Sequence, residues 1–171
     1  MNRRDFFKSF SLRMKSEEEE KGEEPPEKSP AIIRPPYNGD PELFQQKCPT
    51  CPAYCMTACE EGIIRLDKDS IPYLDFSVTG CTFCGDCAKY CNIDVLKIDG
   101  PATIHWLAEL DKVKCSSWTE PTCRMCADVC ETKAILFYGG LRPEVDGEAC
   151  TGCGQCTSYC PDSALTMIYS P

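Results

Sequence analysis

Sixteen cysteines, arranged in four groups, are the feature that most limits what this chain of 171 residues can fold into. That number is far above ordinary cysteine usage. Such a density indicates a disulfide framework, zinc sites or iron–sulfur sites, and the spacing of the cysteines distinguishes them. The four groups are Cys48/Cys51/Cys55/Cys59, Cys81/Cys84/Cys87/Cys91, Cys115/Cys123/Cys126/Cys130 and Cys150/Cys153/Cys156/Cys160.

The second and fourth groups have the spacing C-x2-C-x2-C-x3-C, which is typical of 4Fe–4S ligand sets. The first group is one residue longer in the middle, and the third contains an inserted loop at 116–122. Zinc would need only two C-x2-C pairs per ion and would leave the third cysteine of each group idle. Disulfides would need an exported chain, and cysteines this close together on tight loops are poorly placed to form them. The spacing therefore predicts four [4Fe–4S] clusters with all sixteen cysteines as ligands.

The groups form a repeat, because apolar residues return four, five and seven positions after the last cysteine of each. This pattern predicts a short strand after every group. A Pro-x-Leu/Val-Asp sequence precedes the second group at Pro72 and the fourth group at Pro143, so the natural unit is a pair of groups. We expect an α+β fold of two tandem bacterial ferredoxin-like modules, with short strands, short helices and little regular structure.

Two arrangements of ligands are open. In such motifs the last cysteine of one group ligates the cluster of its partner group. The duplicated lead-in favours adjacent pairing, with the ligand sets Cys48/Cys51/Cys55/Cys91, Cys81/Cys84/Cys87/Cys59, Cys115/Cys123/Cys126/Cys160 and Cys150/Cys153/Cys156/Cys130. The alternative nests the first group with the fourth and the second with the third.

The composition divides the chain into five parts. We expect a basic and aromatic segment at 1–16, an acidic, Pro-rich disordered linker at 17–42, a first module at 43–100, a connector at 101–114 and a second module at 115–171. A short helix is predicted within the connector, from Thr103 to Leu110. Because metal binding supplies folding free energy in such sites, we expect the metal-free chain to be poorly folded.

The first residues resemble a twin-arginine export signal, but charged residues stand where such a signal needs an apolar stretch. This indicates that the chain stays in the cytoplasm. The same segment fits a short amphipathic helix that docks on a protein partner or an anionic membrane surface, and a frayed tail is the third interpretation. The candidate docking residues are Arg3, Arg4, Phe6, Phe7, Phe10 and Met14.

The remaining features argue against several functions. The formal net charge of −9 argues against nucleic acid as a partner, and the chain has no run of eighteen apolar residues that could span a membrane. The sequence shows no nucleophile–base pair, carboxylate dyad or phosphate-binding loop. We therefore expect an electron carrier without a substrate site of its own, which works with a redox protein partner.

Three motifs resemble the NapF-type ferredoxins of periplasmic nitrate reductase systems, over roughly residues 44–168. They are Phe76 with Cys81-Thr82-Phe83-Cys84-Gly85-Asp86-Cys87, the expanded Cys115…Cys123-Arg124-Met125-Cys126-Ala127-Asp128-Val129-Cys130-Glu131, and Cys150-Thr151-Gly152-Cys153-Gly154-Gln155-Cys156. The resemblance implies a cytoplasmic 4Fe–4S accessory protein. Such a protein would act on the molybdenum-containing catalytic subunit before its export, in maturation or electron supply. The alternatives are an integral electron-wire subunit of another redox complex and a binding module with structural clusters.

Overall fold

Short helices and two-stranded sheets make up the regular structure of this protein. The computed structural model describes residues 32–38, 40–120 and 123–170. The helices are α1 (Glu42–Lys47), α2 (Tyr54–Ala58), α3 (Asp86–Lys89), α4 (Met125–Asp128) and α5 (Gln155–Ser158), with 3-10 turns at Cys48–Thr50 and Ser116–Trp118. The strands are β1 (Ile64–Leu66), β2 (Pro72–Leu74), β3 (Trp106–Leu110), β4 (Ile135–Tyr138), β5 (Arg142–Val145) and β6 (Leu165–Tyr169). The prediction of a mixed fold with short helices and strands is confirmed.

The first half of the chain is organised around one antiparallel hairpin. Strands β1 and β2 pair with Ile64 opposite Leu74. Phe44 of α1 and Val95 pack in the same core, and both are almost fully buried. This core surrounds the cysteines of the first two groups, so it positions their loops.

The second half contains an equivalent hairpin and an additional pair of strands. Strands β4 and β5 pair with Ile135 opposite Val145. Strand β3, which precedes the third cysteine group, pairs with β6, which follows the fourth, and Leu110 lies opposite Leu165. The β3–β6 pair therefore joins the beginning of this half to its end.

In the first half, a shorter backbone pairing likewise joins the beginning of the half to its end. Asn38 forms an isolated antiparallel bridge with Leu96, and the Lys97 N–H donates to the Tyr37 carbonyl at 2.9 Å. The strands predicted after the first, third and fourth cysteine groups are present as β1, β4 and β6. After the second group, the described residues form an isolated bridge at Leu96 in place of the predicted strand.

The helix predicted from Thr103 to Leu110 is wrong. Residues Trp106–Leu110 form strand β3, and Ile104 is buried in the core of the first half. Isolated short helices gain little in water, whereas pairing with β6 satisfies the backbone groups of both strands. The segment 101–114 is therefore part of the packed structure and more than a connector.

The disordered linker predicted for 17–42 is wrong at its end. Pro35 and Pro36 are fully buried, and Tyr37 is 7% exposed. The Ile33 carbonyl accepts the Leu74 N–H at 2.8 Å, and the Arg34 guanidinium donates to the Pro72 carbonyl at 2.8 Å. Residues 32–38 therefore pack beside β2, because their prolines and Tyr37 have apolar surface to bury. The rest of the linker prediction, 17–31, lies outside the described residues.

Candidate metal centres

Four cysteines from two different groups line a cavity in the first half. Its other walls are apolar and include Phe44, Val95 and Leu96. Three of the thiols belong to the first group and one is the last cysteine of the second. We call this set quartet 1, and its members are Cys48, Cys51, Cys55 and Cys91.

Two further cavities are each lined by four cysteines, again with three from one group and one from its neighbour. The first lies beside Tyr37 and Ile64, and its cysteines form quartet 2: Cys59, Cys81, Cys84 and Cys87. The second lies beside Ile135 and Met167, and its cysteines form quartet 4: Cys130, Cys150, Cys153 and Cys156.

The remaining four cysteines surround Cys126. Burial raises the pKa of this thiol to about 11, and three neighbouring thiols add to the effect. Together they form quartet 3, which consists of Cys115, Cys123, Cys126 and Cys160. All sixteen cysteines lie in the described part of the chain, and the structure groups them by the adjacent pairing rather than the nested one.

Each cysteine group ends in the same backbone turn. The third residue after the last cysteine has a positive φ in all four groups, at Gly62, Asp94, Lys133 and Ser163. The turn directs the following amides back toward the cysteine sulfur. The Sγ of Cys130 thus accepts the Ala134 N–H at 3.2 Å, and the Sγ of Cys160 accepts the Ala164 N–H at 3.3 Å. The Sγ of Cys91 accepts the N–H of Leu96, one residue further along, at 3.3 Å. Sequence reasoning missed these turns because their residues share only an offset from the cysteine.

A left-handed residue also begins the helical turn in the two strictly spaced groups. Gly85 precedes α3 with φ of 82°, and Gly154 precedes α5 with φ of 78°. Glycine adopts this conformation without steric cost. In the longer first group Ala53 takes the equivalent place before α2, with φ of 58°. The extra residue of that group is therefore accommodated before the helix, and the thiols on either side still reach quartet 1.

The described part of the inserted loop of the third group, residues 116–120, is held by polar contacts. The backbone N–H that follows Cys115 donates to the Asp162 carboxylate at 2.8 Å. Two cations lie over the Trp118 ring, with the Lys112 ammonium 4.6 Å and the Arg142 guanidinium 5.0 Å from its centroid. These contacts stabilise the loop and keep Cys115 buried beside the other thiols of quartet 3.

The thiols of the quartets are arranged to hold a positively charged group. Burial, reinforced by neighbouring thiolates, raises the pKa of Cys87 and of Cys156 to about 12. Metal ligation requires thiolates, so such a site is unfavourable until a cation compensates the crowded negative charge. Within the described residues, no three His, Cys, Asp or Glu side chains are arranged to hold a single metal ion. A cubane spreads its four thiolates further apart than one ion does, because iron and sulfide lie between them. All-cysteine quartets with apolar walls and amide donors thus fit a 4Fe–4S cluster.

The candidate docking residues of the segment 1–16 lie outside the described residues, as does the predicted docking helix. Among the residues that the structure describes, none of the helices has the length and apolar character needed to cross a membrane.

Comparisons with known proteins agree with this chemistry. Residues 143–166 match the Fer4 family model, described as a 4Fe-4S binding domain. The "Ferredoxin-type protein NapF" of Escherichia coli (strain K12) is 34% identical over 80% of this chain and 85% of its own length. The protein of the same name from Haemophilus influenzae is 34% identical over 79% of this chain and 78% of its own length. The "Methylamine utilization ferredoxin-type protein MauM" of Methylophilus methylotrophus is 28% identical over 84% of this chain and 73% of its own length.

These relatives bear names that specify a ferredoxin-type protein, and with the Fer4 match they indicate a 4Fe–4S electron-transfer or accessory role. The motifs that resemble NapF-type ferredoxins and the similarity over about four fifths of the chain lead to the same assignment. The chain belongs to the NapF family of ferredoxin-type proteins.

Proposed function

We propose that this chain binds four [4Fe–4S] clusters, one in each quartet, and acts as an electron-transfer or accessory protein without a substrate site of its own. The observation on which this rests is the grouping of sixteen cysteine thiols into four sets of four, three of which line cavities. All sixteen cysteines are the proposed ligands. The two halves, 32–100 and 101–170, are the proposed tandem ferredoxin-like modules.

The residues of the chain have separate tasks in this proposal. The thiolates hold the clusters, and each group contributes three ligands to one quartet and its last cysteine to the neighbouring quartet. The apolar walls beside Phe44 and Ile135 limit the access of water to quartets 1 and 4, and the backbone amides at Leu96, Ala134 and Ala164 donate hydrogen bonds to sulfur. A bound 4Fe–4S cluster supplies one-electron exchange. Water exclusion and N–H···S hydrogen bonds are the means by which the protein sets the potential.

The experiment that tests this proposal is anaerobic purification of the full chain with counting of iron and acid-labile sulfide. About sixteen iron atoms per chain are expected from four clusters of the four-cysteine type. Electron paramagnetic resonance on reduction should then show cluster signals. About eight iron atoms would leave one module without clusters, and a colourless preparation that binds only zinc would exclude the proposal.

The partner in this proposal is the cytoplasmic precursor of the molybdenum-containing catalytic subunit of a periplasmic nitrate reductase. The chain would assist the maturation of this precursor or supply electrons to it. Support comes from the NapF-type motifs and from the higher identity to NapF proteins, 34%, than to the MauM protein, 28%. The protein would act in the cytoplasm, and the segment 1–16 would be the part that docks on the partner. Co-purification should retain the tagged precursor, whereas the mature subunit without its export signal should bind more weakly. Equal binding of both forms, or of neither, would contradict this assignment.

A further inference from the structure

Quartets 2 and 4 meet where the two halves of the chain contact each other. The backbone N–H of Cys81 donates to the carbonyl of Cys153 at 2.7 Å, so a ligand residue of quartet 2 is bonded directly to a ligand residue of quartet 4. Next to this bond, the Thr79 hydroxyl of the first half lies 3.4 Å from the side-chain oxygen of Gln155 in the second half. Cys81 and Cys153 also line one common cavity.

Glycines make this close approach possible. A Cβ on Gly80 would lie 2.5 Å from the Cys153 carbonyl oxygen and would also overlap the backbone of Gln155. A Cβ on Gly154 would overlap the ring of Phe76, which is buried in the first half. Backbone therefore packs on backbone at the junction, with no side chain between Cys81 and Cys153.

Within each half, short helical turns link the two quartets. Helix α2 contains Cys55 of quartet 1 and is capped at its C-terminal end by Cys59 of quartet 2. In the second half, α4 contains Cys126 of quartet 3 and ends at Asp128, just before Cys130 of quartet 4. Quartet 1 is thus joined to quartet 2, and quartet 3 to quartet 4, by a single turn of helix.

We infer that the four centres form one series in the order quartet 1, quartet 2, quartet 4, quartet 3, and that electrons pass between the halves at the Cys81–Cys153 hydrogen bond. This inference rests on the proposed function. With clusters bound in the quartets, one electron would leave the centre held by quartet 2 or quartet 4 and would be gained by the centre held by the other. No bond is formed or broken and no proton moves in this step. The spatial order therefore differs from the order of the cysteine groups along the chain, in which quartet 3 precedes quartet 4.

The junction is tested with Gly80→Ala in the iron-loaded full chain. Its Cβ must move away from the Cys153 carbonyl by about 1 Å to reach ordinary contact distance. We expect the magnetic interaction between the reduced centres of the two halves to weaken in electron paramagnetic resonance, while the interaction within each half is retained. The matched control is Gly147→Ala, whose Cβ would meet only the flexible end of the Leu107 side chain, at 3.3 Å. Neither glycine has a positive φ, so the two variants differ in steric contact and not in backbone strain.

An unchanged interaction in Gly80→Ala at full iron content would overturn the inference and leave the proposed function intact. An iron count far below sixteen in the native chain would instead overturn the proposed function. If Gly80→Ala loses iron, the order of the four quartets is tested instead with Cys84→Ala and Cys51→Ala. Cys84→Ala removes the centre of quartet 2, and the magnetic interaction between the two halves should then disappear. Cys51→Ala removes the centre of quartet 1, and the magnetic interaction between the two halves should then remain. The reverse result would contradict the proposed series.

Discussion

Gly62 is the one glycine among the four residues that turn the chain after a cysteine group. It has φ of 63°, and a Cβ at this position would contact nothing within 4 Å. The equivalent positions hold Asp94, Lys133 and Ser163, which adopt the same conformation against their intrinsic preference. Left-handed backbone costs a residue with a Cβ roughly 1–2 kcal/mol.

We therefore expect Gly62→Ala to lower the free energy of unfolding by about 1–2 kcal/mol through backbone strain alone. Urea unfolding of the iron-loaded protein under anaerobic conditions, followed by loss of visible absorbance, measures the change. The control is Lys133→Gly, which relieves the same strain and should leave stability unchanged or raise it. A Gly62→Ala protein as stable as the native chain would show that this turn does not need a left-handed residue.

The buried thiols should make the stability of the metal-free chain decrease at alkaline pH. The pKa of Cys87 and of Cys156 is raised by burial from 9.0 to about 12, so the folded form retains protons that the unfolded form releases. The resulting stability is fully present below pH 9.0 and is lost as the pH rises toward 12. We expect circular dichroism of the metal-free chain to show loss of its remaining structure over this range. The iron-loaded protein, whose thiols are already deprotonated, should change less, and an equal response of both forms would contradict this reasoning.

The ligand residues could be predicted from the sequence, whereas the turns around them could not. Cysteine spacing is set by the geometry of the group that is held, so it is visible in the sequence of each group. The left-handed residues Asp94, Lys133 and Ser163 are imposed by the attachment of the chain to the preceding cysteine and the following strand. Their side chains take no part in that constraint, so no residue type marks the position.

At the scale of the elements, the strands follow the cysteine groups as the apolar repeat predicts, but their partners come from distant parts of the chain. Strand β3 is the clearest example, because its apolar residues Trp106, Leu107 and Leu110 also fit one side of a helix. Only the presence of β6, more than fifty positions later, favours the extended form. Local pattern alone could not predict this pairing, since the interaction that decides it is long-range.

The β3–β6 pair leads to a prediction about the second core. Leu165 is 5% exposed and packs in the cluster that contains Cys126 and Cys156, whereas Ile168 on the same strand is 40% exposed. Leu165→Ala should reduce the free energy of unfolding by about 2–5 kcal/mol, because it leaves a cavity beside the cysteines. Ile168→Ala is the matched control and should have a much smaller effect. Denaturant unfolding under anaerobic conditions measures both, and equal losses would mean that β6 does not bury Leu165 in this core.

At the scale of the whole molecule, the described residues contain all sixteen cysteines, and the candidate docking residues lie apart from them in the sequence. Cluster binding and partner binding should therefore be separable. We expect the double substitution Arg3→Ala with Arg4→Ala to weaken capture of the catalytic-subunit precursor several-fold, while iron content stays at the native value. Removal of the positive charge weakens electrostatic attraction to an acidic partner surface.

The charge-matched control is Lys21→Ala with Lys28→Ala, which also removes two positive charges from the N-terminal part of the chain. Quantitative pull-down and iron analysis of both double variants are the measurements. A parallel loss of iron in the arginine variant would connect the segment to cluster retention. Equal weakening in both variants would indicate a general charge effect rather than docking.

Of the sixteen cysteines, all of which the structure describes, Cys84 of quartet 2 is the only exposed one. Dissolved oxygen and peroxide reach an accessible sulfur before a buried one, so oxidative damage should begin at this place. Quartet 2 is also an internal member of the proposed series. Oxidation of the Cys84 sulfur alone would then disconnect quartet 1 from the other three quartets. In air, electron transfer through the protein should therefore stop well before most of the iron is lost.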